Sequence, residues 1–345
     1  MLDTVFYFIL NMSIAACFAI GAMLIIRQIK PLPRRAVYPL WGLVFFRLVM
    51  PFAFTTKWSL FNYTGGLVKR LISVATIMNG TVAASNGTAA ASNGAEAVSN
   101  GAAAITNGMP PTPDPEILAA MNFIGAADQY APIEYKAEQI RQVFTVASAI
   151  WVVVASAMIL AVVVLYILAQ KELSKAIHIK GRLYRSDTIL SPVLAGLFRP
   201  KIILPAALGL DSEEFRMILA HENTHKRRMD NLWRLVGIFV ACLHWFNPLS
   251  WVMLWAFFSD MELSCDELAI RKYDVEGRKA YAETMLRFAE DKGVSIPAAF
   301  GRSVVKARIV NVLTYRKMGL FGAAASLLFL IAVAAILITN PQMRG

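Results

Sequence analysis

The residues best equipped for chemistry are His221, Glu222 and His225, set in the pentapeptide His-Glu-Asn-Thr-His. On a helix, histidines four apart leave the same face, so both imidazoles can converge on one metal ion. Glu222 then lies close by, where it can take a proton from a water made acidic by the metal and later pass it to a leaving amine. A catalytic zinc also needs a third protein ligand and one open position. Glu262 is the candidate ligand, and Asp266 follows it by one helical turn, placed to accept the outer N–H of a ligating histidine. Asp230 is a second candidate for that outer role. An acidic pair on a helix is usually a solvated face. Here Glu262 closes an apolar stretch where a bare carboxylate is costly, and two of the chain's 4 His lie in the pentapeptide, which favours one Zn2+ per chain. Cys265 reads as a small packed residue, since a thiolate is redundant beside two histidines and a glutamate. His178 and His244 read as structural.

These groups need elements to hold them. Asp211 followed by Glu214 reads as a capping box, and Phe215, Ile218, Leu219, Leu232 and Leu235 keep helical spacing through the pentapeptide, so one helix is expected to carry it. Before it, residues 191–205 read as short strands broken by Gly and Pro. If Ile202, Ile203 and Leu204 form an exposed strand edge beside the metal, they can hold a substrate peptide in extended form. A sheet that merely packs on the helix is the alternative.

Composition places these elements in a membrane. Of 345 residues, 57% are hydrophobic and 17% charged, with a mean hydropathy of +0.53, too apolar for an ordinary soluble enzyme. Residues 4–26, 143–169 and 319–339 are each long enough to span, and residues 36–56 form a shorter fourth stretch carrying Arg47, which must face other helices. Basic residues cluster after the first and third stretches and before the last, and these segments are expected in the cytoplasm with both termini outside. Asp3 and the lack of an early basic residue argue against a cleaved signal peptide. The net charge of +11 then follows from topology, without direct nucleic-acid binding. The 3 Cys fall in spans or in the cytoplasmic part, so no disulfide framework is expected.

The expected organisation is therefore two spans in 1–56, an outside loop over 57–141, a third span at 142–169, a cytoplasmic catalytic domain over 170–317, a last span at 318–340 and a short outside tail, 341–345. Within the loop, Asn-Gly pairs recur every seven residues across 79–108, a low-complexity array that breaks helices rather than forming a coiled coil. Within the catalytic domain, residues 235–258 carry no formal charge. A crossing there would part the histidines from Glu262, so a bend near Trp245-Phe246-Asn247-Pro248 is expected, giving a membrane-associated apolar hairpin that returns Glu262 to the metal.

Several ordered motifs occur together: the Ser191-Pro192 to Pro205 stretch with its Arg199-Pro200-Lys201-Ile202-Ile203-Leu204-Pro205, the pentapeptide followed by Arg228 and Asp230, His244-Trp245-Phe246-Asn247-Pro248, and Glu-Leu-Ser-Cys-Asp-Glu at 262–267. With them the chain resembles the BlaR/MecR family of bacterial membrane zinc metallopeptidases, transducers of beta-lactam signals. The resemblance covers nearly everything outside the Asn-Gly array. It implies a mainly α membrane protein: four transmembrane helices with a cytoplasmic α+β zincin-like (gluzincin) metalloprotease domain, in the cytoplasmic membrane. It implies Glu262 as zinc ligand and Glu222 as acid/base, in agreement with the residue-level reading. A winged-helix repressor similar to BlaI or MecI is the implied protein substrate, with self-cleavage near Ala299 and Phe300. Homodimerisation is compatible with this reading. In that family an outside sensor domain similar to a penicillin-binding protein often follows the last span. No Ser-x-x-Lys acylation site follows here, so sensing is expected from the long loop, a separate sensor protein or a segment beyond Gly345. Two other readings stay open: a non-proteolytic membrane signal transducer, and a housekeeping membrane protease of the HtpX/CAAX type. The intact ligand set argues against the first, and the Trp-Phe-Asn-Pro and Arg-Pro-Lys-Ile motifs against the second.

Overall fold

The computed structural model describes residues 2–29, 32–50, 54–56, 138–290, 298–316, 322, 324–329, 331, 332 and 339–341. The Asn-Gly array and nearly all of the expected outside loop lie outside these residues.

An apolar helix, α1 (Leu2–Ile26), opens the chain. It buries a face of small and aliphatic side chains, among them Ala16, Ala19, Ile20 and Met23, which lets neighbouring helices approach closely. A short segment then leads into α2 (Arg34–Val37), a 3-10 turn (Tyr38–Leu40) and α3 (Trp41–Val49). Pro33 and Pro39 sit at the starts of α2 and the turn, where a missing N–H costs nothing. The stretch expected to span from 36 to 56 is helical only to Val49: Met50, which precedes Pro51, is extended, and Phe54–Thr56 form β1. Its partner is β6 (Thr339–Pro341), in parallel register. Arg47 is buried, as a charge in an apolar stretch requires.

The longest helix, α4, covers Glu138–Leu173. Among the described residues, two helices, Leu2–Ile26 and Gln142–Leu173, are long and apolar enough to cross a bilayer. The second turns Val146, Ile150, Val153, Leu160, Leu165 and Leu168 outward, a surface that water would penalise. On its inner side, Trp151 and Ala155 pack against Ile9, Leu243 and Phe246. The Trp151 indole N–H donates to the Leu243 carbonyl at 2.8 Å, capping an otherwise unpaired helix end.

Four strands follow: β2 (Ile177–Lys180), β3 (Leu183–Ser186), β4 (Val193–Ala195) and β5 (Lys201–Pro205), in the spatial order β2-β3-β5-β4. Gly181, with a φ of 59°, makes the tight β2–β3 turn. β5 pairs parallel to β3 and antiparallel to β4. The sheet buries Leu194, Ile202 and Leu204 against Ile218 of the next helix.

That helix, α5 (Glu213–Arg228), carries the pentapeptide. Its N-cap is Ser212, whose hydroxyl accepts from the Phe215 amide, and not Asp211; the shorter side chain adjoining the first turn makes the bond. Nor does the helix run on through Leu232 and Leu235. Met229 adopts a left-handed conformation with φ 56°, the chain changes direction, and α6 (Asp230–Leu243) begins. Residues 244–247 then turn the chain, and α7 (Pro248–Ala269) starts with Pro248 at its first position and Asn247 capping Leu249. α6 and α7 pack with α1 and α3 in the largest cluster, which includes Trp41, Phe45, Val240, Met253 and Phe257. At Gly237 a Cβ would stand 3.0 Å from Leu254 Cδ1 and 3.3 Å from Phe45 Cζ, so the small residue permits this crossing. A 3-10 turn, then α8 (Val275–Glu290) and α9 (Ala298–Leu313), close the metal side of α5 through Met217, Ile270, Tyr281 and Val312.

Candidate metal centre

His221 and His225 project from one face of α5, and their Nε2 atoms face each other at 3.0 Å. α7 brings Glu262 across from them: its Oε2 lies 3.7 Å from His221 Nε2 and its Oε1 3.6 Å from His225 Nε2. Ligand atoms around a tetrahedral zinc with bonds of about 2.0–2.1 Å stand about 3.3 Å apart. Three donor groups from two helices therefore converge at the spacing a metal ion needs.

The outward nitrogens are equally constrained. His225 Nδ1 lies 2.6 Å from Asp230 Oδ2, and His221 Nδ1 lies 3.1 Å from Asp266 Oδ1 and 2.8 Å from the Tyr281 hydroxyl. A carboxylate on Nδ1 fixes the proton there and leaves the Nε2 lone pair free to bind a metal. Both acids are fully buried and held in turn. Arg308 of α9 grips Asp266 through Nε and Nη2, each at 2.8 Å, and Tyr281 donates to it at 2.8 Å. Arg228 holds Asp230 through its guanidinium.

Burial disfavours the Glu262 carboxylate, but Arg308 and His225 outweigh it and hold the group well below the usual carboxylate range. Asp266 is likewise penalised by burial, yet Arg308 brings it down to about 2. Burial also opposes charge on both imidazoles; Cys265, Tyr281 and Asp266 around His221, and Cys265, Glu262 and Asp230 around His225, raise them well above normal. The buried acids around both rings thus favour positive charge between them, which is the charge a metal dication would bring.

Glu222 is buried at 9% exposure on the same helix, and no hydrogen bond or ion pair engages its carboxylate among the described residues. Cys265 is nearer than expected of a merely packed residue. Its sulfur and one nitrogen of each histidine lie within 4.8 Å of one another, and its thiol donates to the His221 carbonyl at 3.3 Å.

Other expectations meet the geometry differently. Ile202, Ile203 and Leu204 are buried on β5, an interior strand whose backbone pairs on both sides, so they form no open edge for a peptide. The sheet's edges are β2 and β4. His178 bonds the Gly181 carbonyl and His244 the Leu48 carbonyl, each at 3.0 Å, both structural contacts. Ala299 and Phe300 fall in the first turn of α9. Arg308, Arg234 and Tyr281 reach the site without any signal in local spacing. Arg308 in particular reads in sequence as one of several basic residues flanking a span, yet its Nη1 lies 3.2 Å from Glu262 Oε2, while Arg234 bonds Oε1.

The sequence pattern of the BlaR1 peptidase M56 family matches residues 7–312. The chain belongs to this family of peptidases. It is similar to the regulatory protein BlaR1 of Bacillus licheniformis, 33% identical over 174 residues, which is 48% of this chain and 29% of that protein. The methicillin resistance mecR1 protein of Staphylococcus aureus is 24% identical over 104 residues, 30% of this chain and 18% of its own length, and that of Staphylococcus epidermidis matches equally. The matches thus span less than a third of the length of these relatives. Membership in a metallopeptidase family agrees with a cradle that suits a metal, and membrane character agrees with the two apolar helices.

Proposed function

We propose that this chain is a membrane zinc endopeptidase that inactivates a cytoplasmic transcriptional repressor in response to a signal. The observation that carries the reading is the convergence of both Nε2 atoms with the Glu262 carboxylate, while each Nδ1 rests on a buried acid. His221, His225 and Glu262 would hold the zinc, with Asp266 and Asp230 orienting the two rings. When bound, zinc polarises a substrate carbonyl and acidifies water at neutral pH.

The chain's own residues supply the rest. Glu222 accepts the proton of the attacking water and returns it to the departing amine. Arg308 and Arg234 keep the Glu262 oxygens in place, and Arg308 with Tyr281 keeps Asp266 ionised against His221. Asp266 and Asp230 are shielded from water, which strengthens their contacts with the two imidazoles, while the partly exposed Glu262 faces the side from which water can enter.

The proposed setting is a bacterial cytoplasmic membrane crossed four times, with residues 170–317 inside and both termini outside. The proposed substrate is a winged-helix repressor of the BlaI or MecI kind, a reading supported by similarity to a regulatory protein and a resistance protein. Self-cleavage near Ala299 and Phe300 requires the first turn of α9 to unwind, because a peptide must be extended to lie across a metal site. The test is co-expression of this protein with such a repressor, comparing wild type with Glu222→Gln. Wild type should cleave the repressor and release a fragment of itself beginning near residue 300, and the variant should do neither. Equal fragments in both would reject a proteolytic role.

A further inference from the structure

Three buried acids, Asp260 and Glu267 of α7 and Asp230 at the start of α6, each accept hydrogen bonds from one short segment of the N-terminal part, residues 27–41. Asp260 accepts from Arg27 Nε and from the Trp41 indole N–H, both at 2.8 Å. Glu267 accepts the backbone N–H groups of Arg34 and Arg35 at 2.9 and 3.1 Å. Asp230 accepts the Tyr38 hydroxyl at 3.0 Å. The first two sets of bonds anchor the segment along α7. The third is different, because the other oxygen of Asp230 lies against His225 Nδ1 at 2.6 Å.

The Tyr38 hydroxyl has little freedom. Its ring stacks on Phe257 of α7 with centroids 5.5 Å apart and planes within 15°. The Arg228 guanidinium covers the ring at 4.7 Å and also bonds Asp230, the Ser264 hydroxyl at 2.7 Å and the Met261 carbonyl at 3.1 Å. One Asp230 oxygen is thus fixed by Tyr38, the other by Arg228, and the carboxylate can turn only if one of them moves.

We propose that Tyr38 is a positioning residue for the metal centre: from the segment between α1 and α3 its hydroxyl orients Asp230, which orients His225. The inference rests on the reading of His225 as a zinc ligand. It makes zinc affinity depend on how the N-terminal helices dock against α6 and α7. A slide of about 1 Å carries the hydroxyl beyond hydrogen-bond range and releases one side of the Asp230 carboxylate. Groups that orient a metal ligand usually contribute about 10–100-fold in metal affinity. Because Arg228 still holds Asp230, loss of Tyr38 alone belongs at the lower end, about tenfold.

Chelator-competition titration of the full chain in lipid nanodiscs with zinc alone tests this. Tyr38→Phe keeps the ring that Phe257 and Arg228 pack on, so the zinc-free protein should still fold and melt cooperatively, a little lower for the lost hydrogen bond to Asp230, while the zinc Kd rises about tenfold. In an Asp230→Asn background the same change should have no further effect, since the hydroxyl acts through that carboxylate. The proposal is overturned if Tyr38→Phe binds zinc as tightly as wild type, or if its loss is equally large in the Asp230→Asn background. A wild-type protein that takes up no zinc would instead overturn the metal reading itself, so the two failures are told apart.

Discussion

In the proposed mechanism ligation and proton transfer fall to different carboxylates, and single substitutions can separate them. Glu262→Ala removes one corner of the cradle and should lower zinc content below one per chain, measured by elemental analysis of purified protein. Glu222→Gln should keep full zinc and lower the rate of peptide hydrolysis by about 10²–10⁴, the usual weight of a general base. Arg308 adds a second kind of dependence. Asp266 is fully buried, and Arg308 makes two of its hydrogen bonds, so Arg308→Ala strands a carboxylate beside His221. Removing one partner of a buried pair costs about 3–5 kcal/mol. The zinc-free protein should therefore melt at a clearly lower temperature, and Arg308→Lys should recover only part of the loss, because an ammonium cannot reproduce the two-pronged contact. Unchanged melting in Arg308→Ala would contradict the role assigned to this arginine.

The elements set these residues against one another through breaks rather than through long regular runs. The left-handed Met229 ends α5 one turn after His225 and turns Asp230 back toward that histidine. A left-handed conformation costs a side chain roughly 1–2 kcal/mol. Met229→Gly should accordingly stabilise the zinc-free protein by up to about 1 kcal/mol in thermal denaturation with zinc affinity preserved. Met229→Val should destabilise it, because a β-branched residue tolerates that backbone least. The turn at 244–247 has the same architectural purpose: it reverses an apolar run so that α7 delivers Glu262 to the histidines. Asn247 caps α7 through Leu249 and also donates to Ser13 Oγ of α1 at 2.8 Å, tying the reversal to the first helix.

For the molecule as a whole, the protease elements and the apolar helices are packed into one another rather than joined by a tether. α1 and α3 share their main cluster with α6 and α7, and the 27–41 segment reaches Asp260 and Glu267 of α7 and, through Tyr38, the Asp230 that faces His225. α4, by contrast, leaves most of its apolar surface outward, with Leu160 64% exposed midway along the apolar part. If that surface meets lipid, Leu160→Arg should impair insertion, since a central arginine costs about 2.5–3.5 kcal/mol on insertion scales. Membrane fractionation checks it: an undiminished membrane-bound yield would mean that this face is not lipid-exposed.

The sequence by itself determined where the candidate chemistry lies. His221, Glu222 and His225 lie within two helical turns, so their geometry follows from helix periodicity alone, and the downstream pair Glu262 and Asp266 is legible for the same local reason. The apolar composition, and the need for a reversal between the histidines and Glu262, were equally readable. Only the tertiary structure decided which acid meets which ring, that β5 is interior and not an edge, and that Arg308, Tyr281 and Tyr38 bond the acids that face the two histidines. His225 and Asp230 are only five positions apart but meet across the reversal at Met229; the other contacts join residues 15 to 192 positions apart, and no local periodicity encodes them. They arise because burying the apolar faces of α1, α3, α6 and α7 together leaves each enclosed charge only the partners that packing brings within reach.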